Sequence, residues 1–216
     1  MYTSINGRTK AYVYEEGYIR TSSYEYDVNN LSDRLVHLTN DAVQKRDKNY
    51  GKFEAGNKQS YSEFQNYLDK YYPKESICFE RDLLPQIYKL TTDIFRATWD
   101  KLDPKKRINT FEVFGLDFMI DEDFKIYLIE VNTNPCLELS SPLLARIIPN
   151  MLENALKIST DPVFLPPENF SQKKAYVGDA CPETRFELIY DDKIDKPVLE
   201  ALFKNKNNMI GKSFIF

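Results

Sequence analysis

Three oxygen-bearing side chains stand close together in the middle of the chain. Asp117, Glu130 and Asn132 belong to segment 111–132, in which apolar and polar residues alternate on either side of an Asp-Glu-Asp-Phe turn at 121–124. Carboxylate and amide oxygens are the ligands that a hard cation such as Mg²⁺ prefers. No His or Cys accompanies them in that segment, which disfavours zinc and copper. The residue types therefore indicate a magnesium site.

The alternation predicts a β-hairpin that brings the three side chains to one face. With the turn at 121–124, Asp117 is opposite Leu128, and Glu130 lies diagonal to Asp117 on the same face. Two carboxylates in an otherwise apolar face repel each other, so a cation should neutralise them. The other face is predicted to be core, and its members are Phe114, Leu116, Phe118, Ile120, Lys125, Tyr127, Ile129 and Val131.

A plain solvated face of an antiparallel sheet is the alternative interpretation of this hairpin. Gly115, which leaves room beside the carboxylates, favours the metal site over that alternative. So do Met119, Ile126 and Leu128, because a solvated face rarely carries such large apolar side chains.

Helices and a further hairpin are predicted around this segment. Apolar spacing predicts helices from Ser60 onward, over 79–102 and over 142–158, with Pro149 kinking or interrupting the last one. Residues 11–20 predict a short hairpin around Glu15-Glu16-Gly17. From residue 161 onward the pattern weakens, and the prediction is irregular structure with one short helix near 197–203.

Composition excludes several classes of protein. The net charge of −4 disfavours a general nucleic-acid binder. No apolar run approaches the length of a membrane span, so no membrane partner is expected. The three cysteines are far apart, which supports neither a zinc site nor a disulfide framework and favours a cytoplasmic protein.

Several motifs together resemble the tubulin-tyrosine-ligase-like family of the ATP-grasp superfamily, and they occur in the family's order between residues 11 and about 167. They are Tyr-Glu-Glu-Gly-Tyr-Ile-Arg-Thr at 14–21, His-Leu-Thr-Asn at 37–40 with Gln44-Lys45, Asn-Tyr-Gly-Lys-Phe-Glu at 49–54 with Gly56-Asn57, Phe-Gly-Leu-Asp-Phe-Met-Ile-Asp at 114–121 and Leu-Ile-Glu-Val-Asn-Thr-Asn-Pro at 128–135. The resemblance implies an α+β fold: the carboxyl-terminal part of an ATP-grasp fold, an antiparallel sheet packed by helices. Residues 1–167 would form that domain, and 168–216 an extension that is irregular or partly helical.

The resemblance also implies roles for individual residues. Asp117, Glu130 and Asn132 match the family's magnesium ligands. Thr39 and Asn40 match residues that approach the phosphates of ATP. Arg20 matches an arginine that holds the incoming amino acid or its activated carboxylate. Taken singly, Arg20 also fits a surface ion pair, and Thr39-Asn40 also fits a turn. His37 is expected to be structural.

The implied activity is ATP- and Mg²⁺-dependent ligation of a free amino acid to tubulin or microtubules through an acyl phosphate. The expected locations are the cytoplasm, the cytoskeleton or a cilium. The transferred amino acid stays open between tyrosine, glutamate and glycine. Asp41-Ala42 departs from the Tyr-Ser of glutamate-adding members. Asn-Tyr-Gly-Lys at 49–52 favours tyrosine ligase, whereas Asn-Thr-Asn-Pro at 132–135 departs from it.

In the family pattern, the adenine pocket and the phosphate-binding lysines lie upstream of the position that Met1 occupies. Two alternatives therefore stand beside the ligase. One is a truncated, non-catalytic remnant that binds tubulin. The other is an ATP-grasp ligase with a different substrate.

Overall fold

The computed structural model describes residues 1–164 and 184–212, in which helices alternate with short antiparallel strands. In chain order the elements are β1 (Tyr2–Ile5), β2 (Arg8–Tyr14), β3 (Ile19–Arg20), α1 (Arg34–His37), α2 (Asp41–Gln44), β4 (Lys58–Gln59), α3 (Tyr61–Tyr71), α4 (Leu84–Thr98), β5 (Thr110–Glu112), β6 (Gly115–Ile120), β7 (Ile126–Asn132), α5 (Pro142–Ser159), β8 (Phe186–Asp191) and α6 (Asp192–Lys212). This content confirms the predicted α+β class. None of the described helices is both long enough and apolar enough to cross a membrane.

The chain divides into two compact units, each assembled from separate stretches of sequence. The first unit contains Met1–Glu15, Pro85–Pro135 and Glu153–Phe216, and the second contains Glu16–Leu84 and Cys136–Leu152. Residues that are distant in sequence therefore meet within each unit.

A four-stranded antiparallel sheet with the order β5-β1-β2-β8 organises the first unit. A tight turn at Asn6-Gly7 joins β1 to β2, and both turn residues have positive φ angles, 52° and 76°. Such a turn matches the twist of paired strands. One face of the sheet buries a core formed by Tyr2, Ala11, Phe95, Tyr190 and Leu199.

The predicted hairpin over residues 11–20 is wrong. Strand β2 pairs with β1 and β8, whereas β3 pairs with β4 in the second unit. The alternation in that segment is real, but it arises from two short strands that belong to different sheets. Alternation predicts a strand and does not identify its partner.

The carboxyl-terminal part of the chain is more regular than predicted. Where irregular structure was expected, β8 extends the main sheet and α6 follows directly from Asp192. The short helix predicted near 197–203 is part of this longer helix. Residues 186–191 form a strand because they pair with β2. An edge strand gains its stability from its neighbour, and here that neighbour is distant in sequence. The proposed boundary at 167/168 lies outside the described residues.

The predicted helices form with shifted ends. Residues 79–83 make a π-helical turn before α4, which ends at Thr98 rather than at residue 102. Helix α5 runs without interruption through Pro149. In α3, Ser60 and Glu63 form a reciprocal capping box that satisfies two backbone donors of the first turn.

Candidate functional site

Asp117 and Glu130 face each other directly across the β6–β7 hairpin. The strands pair Gly115 with Asn132 and Asp117 with Glu130, and then shift register between Asp117 and Phe118. The predicted register, which placed Asp117 opposite Leu128, is therefore wrong. The shift is a β-bulge in β7 that leaves Ile129 without a paired residue. It brings the two carboxylates from diagonal to opposite positions, where side chains come closer together.

The shape of the loop that closes the hairpin explains the register. Asp121 Oδ1 accepts hydrogen bonds from the backbone N–H groups of Asp123 at 3.1 Å and Lys125 at 2.8 Å. Phe124 adopts a positive φ of 58°. Ile120 consequently pairs with Ile126 rather than with Lys125, and the four-residue turn that the sequence suggested does not form.

The new register also changes which face of the hairpin is buried. Ile126 is only 4% exposed, although the sequence placed it on the polar face. Tyr127, Ile129 and Val131, which were expected in the core, are 44%, 57% and 38% exposed. That part of the core prediction is wrong. For Tyr127, which now pairs with Met119, the cause is the register, because a shift of one residue moves a side chain to the opposite face of a sheet. Val131 pairs with Leu116 on the predicted core face and is exposed there.

The amide of Asn132 lies between the two carboxylates. Its Nδ2 donates to Glu130 Oε1 at 3.2 Å and to Asp117 Oδ2 at 3.4 Å. A half-turn of this amide would direct Oδ1 toward the carboxylates instead, giving three oxygen donors in one patch. Such a set fits Mg²⁺, which binds one or two carboxylates and completes its octahedron with water or phosphate.

Gly115 stands opposite Asn132 and leaves little spare room. A Cβ built there would lie 3.0 Å from Pro135 Cβ and 3.8 Å from Asn132 Cβ. The glycine thus lets Pro135, which follows β7, lie close to the backbone of β6, where a larger residue would push Pro135 away. Elsewhere in residues 1–164 and 184–212, no cluster of three or more His, Cys, Asp or Glu offers a competing metal site.

The other predicted residues lie in the second unit. Arg20 is in β3 and pairs with Lys58 of β4. Thr39 and Asn40 connect α1 to α2, and the Asn40 carbonyl accepts from the N–H groups of Val43 at 2.9 Å and Gln44 at 3.0 Å. The Asn40 side chain does not cap the helix.

His37 has structural contacts in the described fold, where its ring packs edge-on against Tyr26 at 5.4 Å. Its Nε2 lies 2.8 Å from the Asn30 carbonyl. His37 therefore packs against residues of the segment just before it in the chain.

Sequence reasoning missed an ion pair beside Asn40. Lys58 has a side chain only 2% exposed, and its Nζ donates to Asp41 Oδ1 at 2.6 Å and Oδ2 at 2.8 Å. Burial acts to raise the pKa of Asp41, but the hydrogen bond and charge of Lys58, with Ser140 and Lys45, hold it below the ordinary value. The only sequence signal was the position of Asp41 directly after the Thr-Asn motif.

A second missed feature is a buried polar network that holds the loops of this unit. Gln44 is fully buried, and its Nε2 donates to the carbonyls of Leu35 and Leu38. Its Oε1 accepts from Ser23 N at 3.0 Å and from Asn57 Nδ2 at 3.4 Å. Gln44 and Asn57 both belong to the family motifs. Their hydrogen bonds therefore hold the loops of this unit together.

Comparison with known sequences identifies the family. The profile of the "Tubulin-tyrosine ligase family" matches residues 1–170, and the chain belongs to that family. Tubulin glycylase 3A of Drosophila melanogaster is 37% identical over 151 residues, which is 68% of this chain and 15% of that protein. Tubulin glycylase 3B of Tetrahymena thermophila is 29% identical over 70% of this chain and 13% of its own length. The probable tubulin polyglutamylase TTLL9 of Mus musculus is 30% identical over 69% and 31%. The chain therefore spans less than a third of each of these relatives.

Proposed function

We propose that this chain supplies the metal-binding face of an ATP-dependent ligase that adds an amino acid to tubulin. The observation that carries the proposal is the Asp117–Glu130 pair with Asn132 between them, in a chain that belongs to the tubulin-tyrosine ligase family. Two opposed carboxylates have the charge and the donor oxygens that a magnesium–nucleotide complex requires.

Each residue has a distinct role in this proposal. Asp117 and Glu130 would hold Mg²⁺, and the amide oxygen of Asn132 would be a third ligand. Bound there, the metal would supply positive charge to neutralise phosphate oxygens. Thr39 and Asn40 would approach phosphates of ATP. Arg20 orients a carboxylate through its planar fork of donors, which suits a carboxylate better than a lysine ammonium does.

The proposed reaction proceeds in two steps. A substrate carboxylate first attacks the γ-phosphorus of ATP, which forms an acyl phosphate and releases ADP. An amine then attacks the acyl carbon, forms the amide and expels phosphate, while the amine loses a proton. Positioning of the two substrates by the residues named above is the main contribution of the protein to such chemistry.

The named relatives support tubulin as the target. Two are tubulin glycylases and one is a probable tubulin polyglutamylase. Among the three candidate amino acids, these names make glycine the first to test. A tubulin substrate would also place the protein in the cytoplasm, on the cytoskeleton or in a cilium.

The direct test is ATP-dependent incorporation of labelled glycine, glutamate and tyrosine into tubulin. The chain is assayed beside a form extended upstream from its source transcript. Incorporation by either form supports the ligase, and incorporation by the extended form alone assigns the missing determinants to the upstream region. If neither incorporates label nor binds magnesium–ATP, the ligase proposal fails and a tubulin-binding remnant becomes the better account. ATP-dependent modification of another acceptor, without tubulin, favours a ligase with a different substrate.

Glu130→Gln tests the metal-binding role in whichever form is active. The substitution keeps the shape but removes the charge, so we expect incorporation to fall at least about a hundredfold, since metal ligands act on the chemical step. Glu122→Gln, in the exposed hairpin loop, is the matched control and should leave incorporation unchanged. Adding Asp117→Asn to Glu130→Gln should cause little further loss, because ligands of one ion act as a unit. Full activity of the Glu130→Gln enzyme would refute the assignment.

A further inference from the structure

We propose that the ion pair between the buried Lys58 and the half-buried Asp41 is the positioning element for the Thr39–Asn40 loop. The pair would tie this loop to β4, which is paired with the strand that carries Arg20. The functional part of this inference rests on the proposed function, in which Thr39 and Asn40 approach ATP and Arg20 holds a carboxylate.

The contacts of Lys58 show how the tie is built. The backbone of Lys58 pairs with Arg20 in the β3–β4 ladder. Its side chain leaves the ladder, donates to both oxygens of Asp41 and donates a third hydrogen bond to the Gly56 carbonyl at 2.9 Å. All three protons of the ammonium therefore have an acceptor.

Asp41 completes the link to the loop. It is the first residue of α2 and directly follows Asn40. Ser140 Oγ donates to Asp41 Oδ2 at 3.1 Å, and Lys45 Nζ lies 3.8 Å from the same oxygen. Because the carboxylate is held from several sides, the backbone of Asn40 just before it has little freedom to move.

The burial of Lys58 is the reason to assign it more than a surface role. Exposed ion pairs contribute little, because water screens them and both side chains lose entropy. A buried ammonium is different, since removal of either partner leaves an uncompensated polar group. Buried pairs of this kind are often less favourable than apolar residues, and their best-attested use is to fix one arrangement of the chain. In this protein, the ion pair would fix the arrangement of Thr39 and Asn40.

Lys58→Met tests the proposal, with Lys45→Met as its matched control. Both substitutions remove a lysine that lies near Asp41, but the Lys45 side chain is 42% exposed. The first readout is hydrogen exchange at the amides of Val43 and Gln44, which donate to the Asn40 carbonyl. We expect Lys58→Met to speed their exchange about tenfold or more, in line with the loss of charged hydrogen bonds. Lys45→Met should have less than about a twofold effect.

The second readout separates positioning from simple loss of folded protein. In the catalytically active form, Lys58→Met should raise the KM for ATP by about tenfold, and kcat per folded molecule should change much less. A merely structural role would lower the amount of active enzyme and leave the KM unchanged. If Lys58→Met does not fold, Asp41→Asn, which keeps one oxygen for Lys58, should shift both readouts in the same direction by a smaller amount.

The two proposals can fail separately. If neither unsubstituted form incorporates label or binds magnesium–ATP, the proposed function fails, whereas amide exchange still decides whether the ion pair holds the loop. Equal exchange in the Lys58→Met and Lys45→Met proteins overturns the positioning proposal. So does accelerated exchange with an unchanged KM for ATP, because the order of the loop would then have no bearing on the nucleotide.

Discussion

Two groups of carboxylates in this protein have different kinds of partner. Asp41 is bonded to the ammonium of Lys58 at 2.6 Å, so its charge is neutralised within the protein. Between Asp117 and Glu130 the bridging donor is the neutral amide of Asn132, at 3.4 Å and 3.2 Å. Two carboxylates that face each other across a hairpin favour a shared cation, whereas Asp41 is already bonded to an ammonium, so the Asp117–Glu130 pair is the better candidate for a metal site.

The Asp41 contacts predict a dependence of stability on pH. Its folded-state pKa is lower than the ordinary value of 3.8, so its contribution is present above that pH and is lost as the pH falls through the lower value. The difference in free energy of unfolding between the unsubstituted protein and Asp41→Asn should therefore be largest near neutral pH and shrink below about pH 4. Urea unfolding at several pH values measures it. A difference that is constant across the range would contradict the assigned contacts.

At the scale of elements, α4 helps to determine the geometry of the hairpin. Gln86 Nε2 donates to the Phe124 carbonyl at 3.1 Å, and Gln86 Oε1 accepts from the N–H of Ile126 at 3.1 Å. One side chain of the helix thus bonds to two backbone groups beside the turn, just where the sequence-derived register fails. The contact joins residues about 40 positions apart, so the local sequence pattern does not predict it.

Gln86→Leu tests this contact. It leaves two backbone groups without their partner, so we expect a loss of about 1–3 kcal/mol in stability and faster exchange of the Ile126 amide. Lys89→Ala, on an exposed position of the same helix, is the control and should change stability by less than about 0.5 kcal/mol. Unchanged exchange at Ile126 in the Gln86→Leu protein would show that the loop holds its shape without the helix.

At the scale of the whole molecule, both units are built from segments that are remote in sequence. The core of the first unit includes Tyr2 and Ala11 from the amino-terminal strands together with Tyr190 and Leu199 from the carboxyl-terminal part. The matched family profile ends at residue 170, yet β8 and α6 contribute to this core. Strand β8 and helix α6 are thus part of the folded unit.

Leu199→Ala and Leu202→Ala measure this contribution on one helix. Leu199 is 8% exposed and packs in the core, whereas Leu202 is 59% exposed. We expect Leu199→Ala to cost about 2–4 kcal/mol, because it removes buried methyl groups and leaves a cavity. Leu202→Ala should change stability by less than about 0.5 kcal/mol. Chemical denaturation gives both values, and equal losses would mean that α6 does not dock on the sheet as described.

The sequence by itself determined the family motifs, the α+β class, most of the helices and the convergence of Asp117, Glu130 and Asn132 on one hairpin. These features follow from local patterns: apolar spacing, alternation and residue types suited to a chemistry. Only the tertiary structure decided that Asp117 faces Glu130, that Lys58 binds Asp41 and that residues 186–191 form a strand. Each of these depends on contacts between residues far apart in the chain, or on a bulge and a loop closed by specific hydrogen bonds. A period-two pattern is compatible with more than one register and more than one neighbour, and packing selects among them.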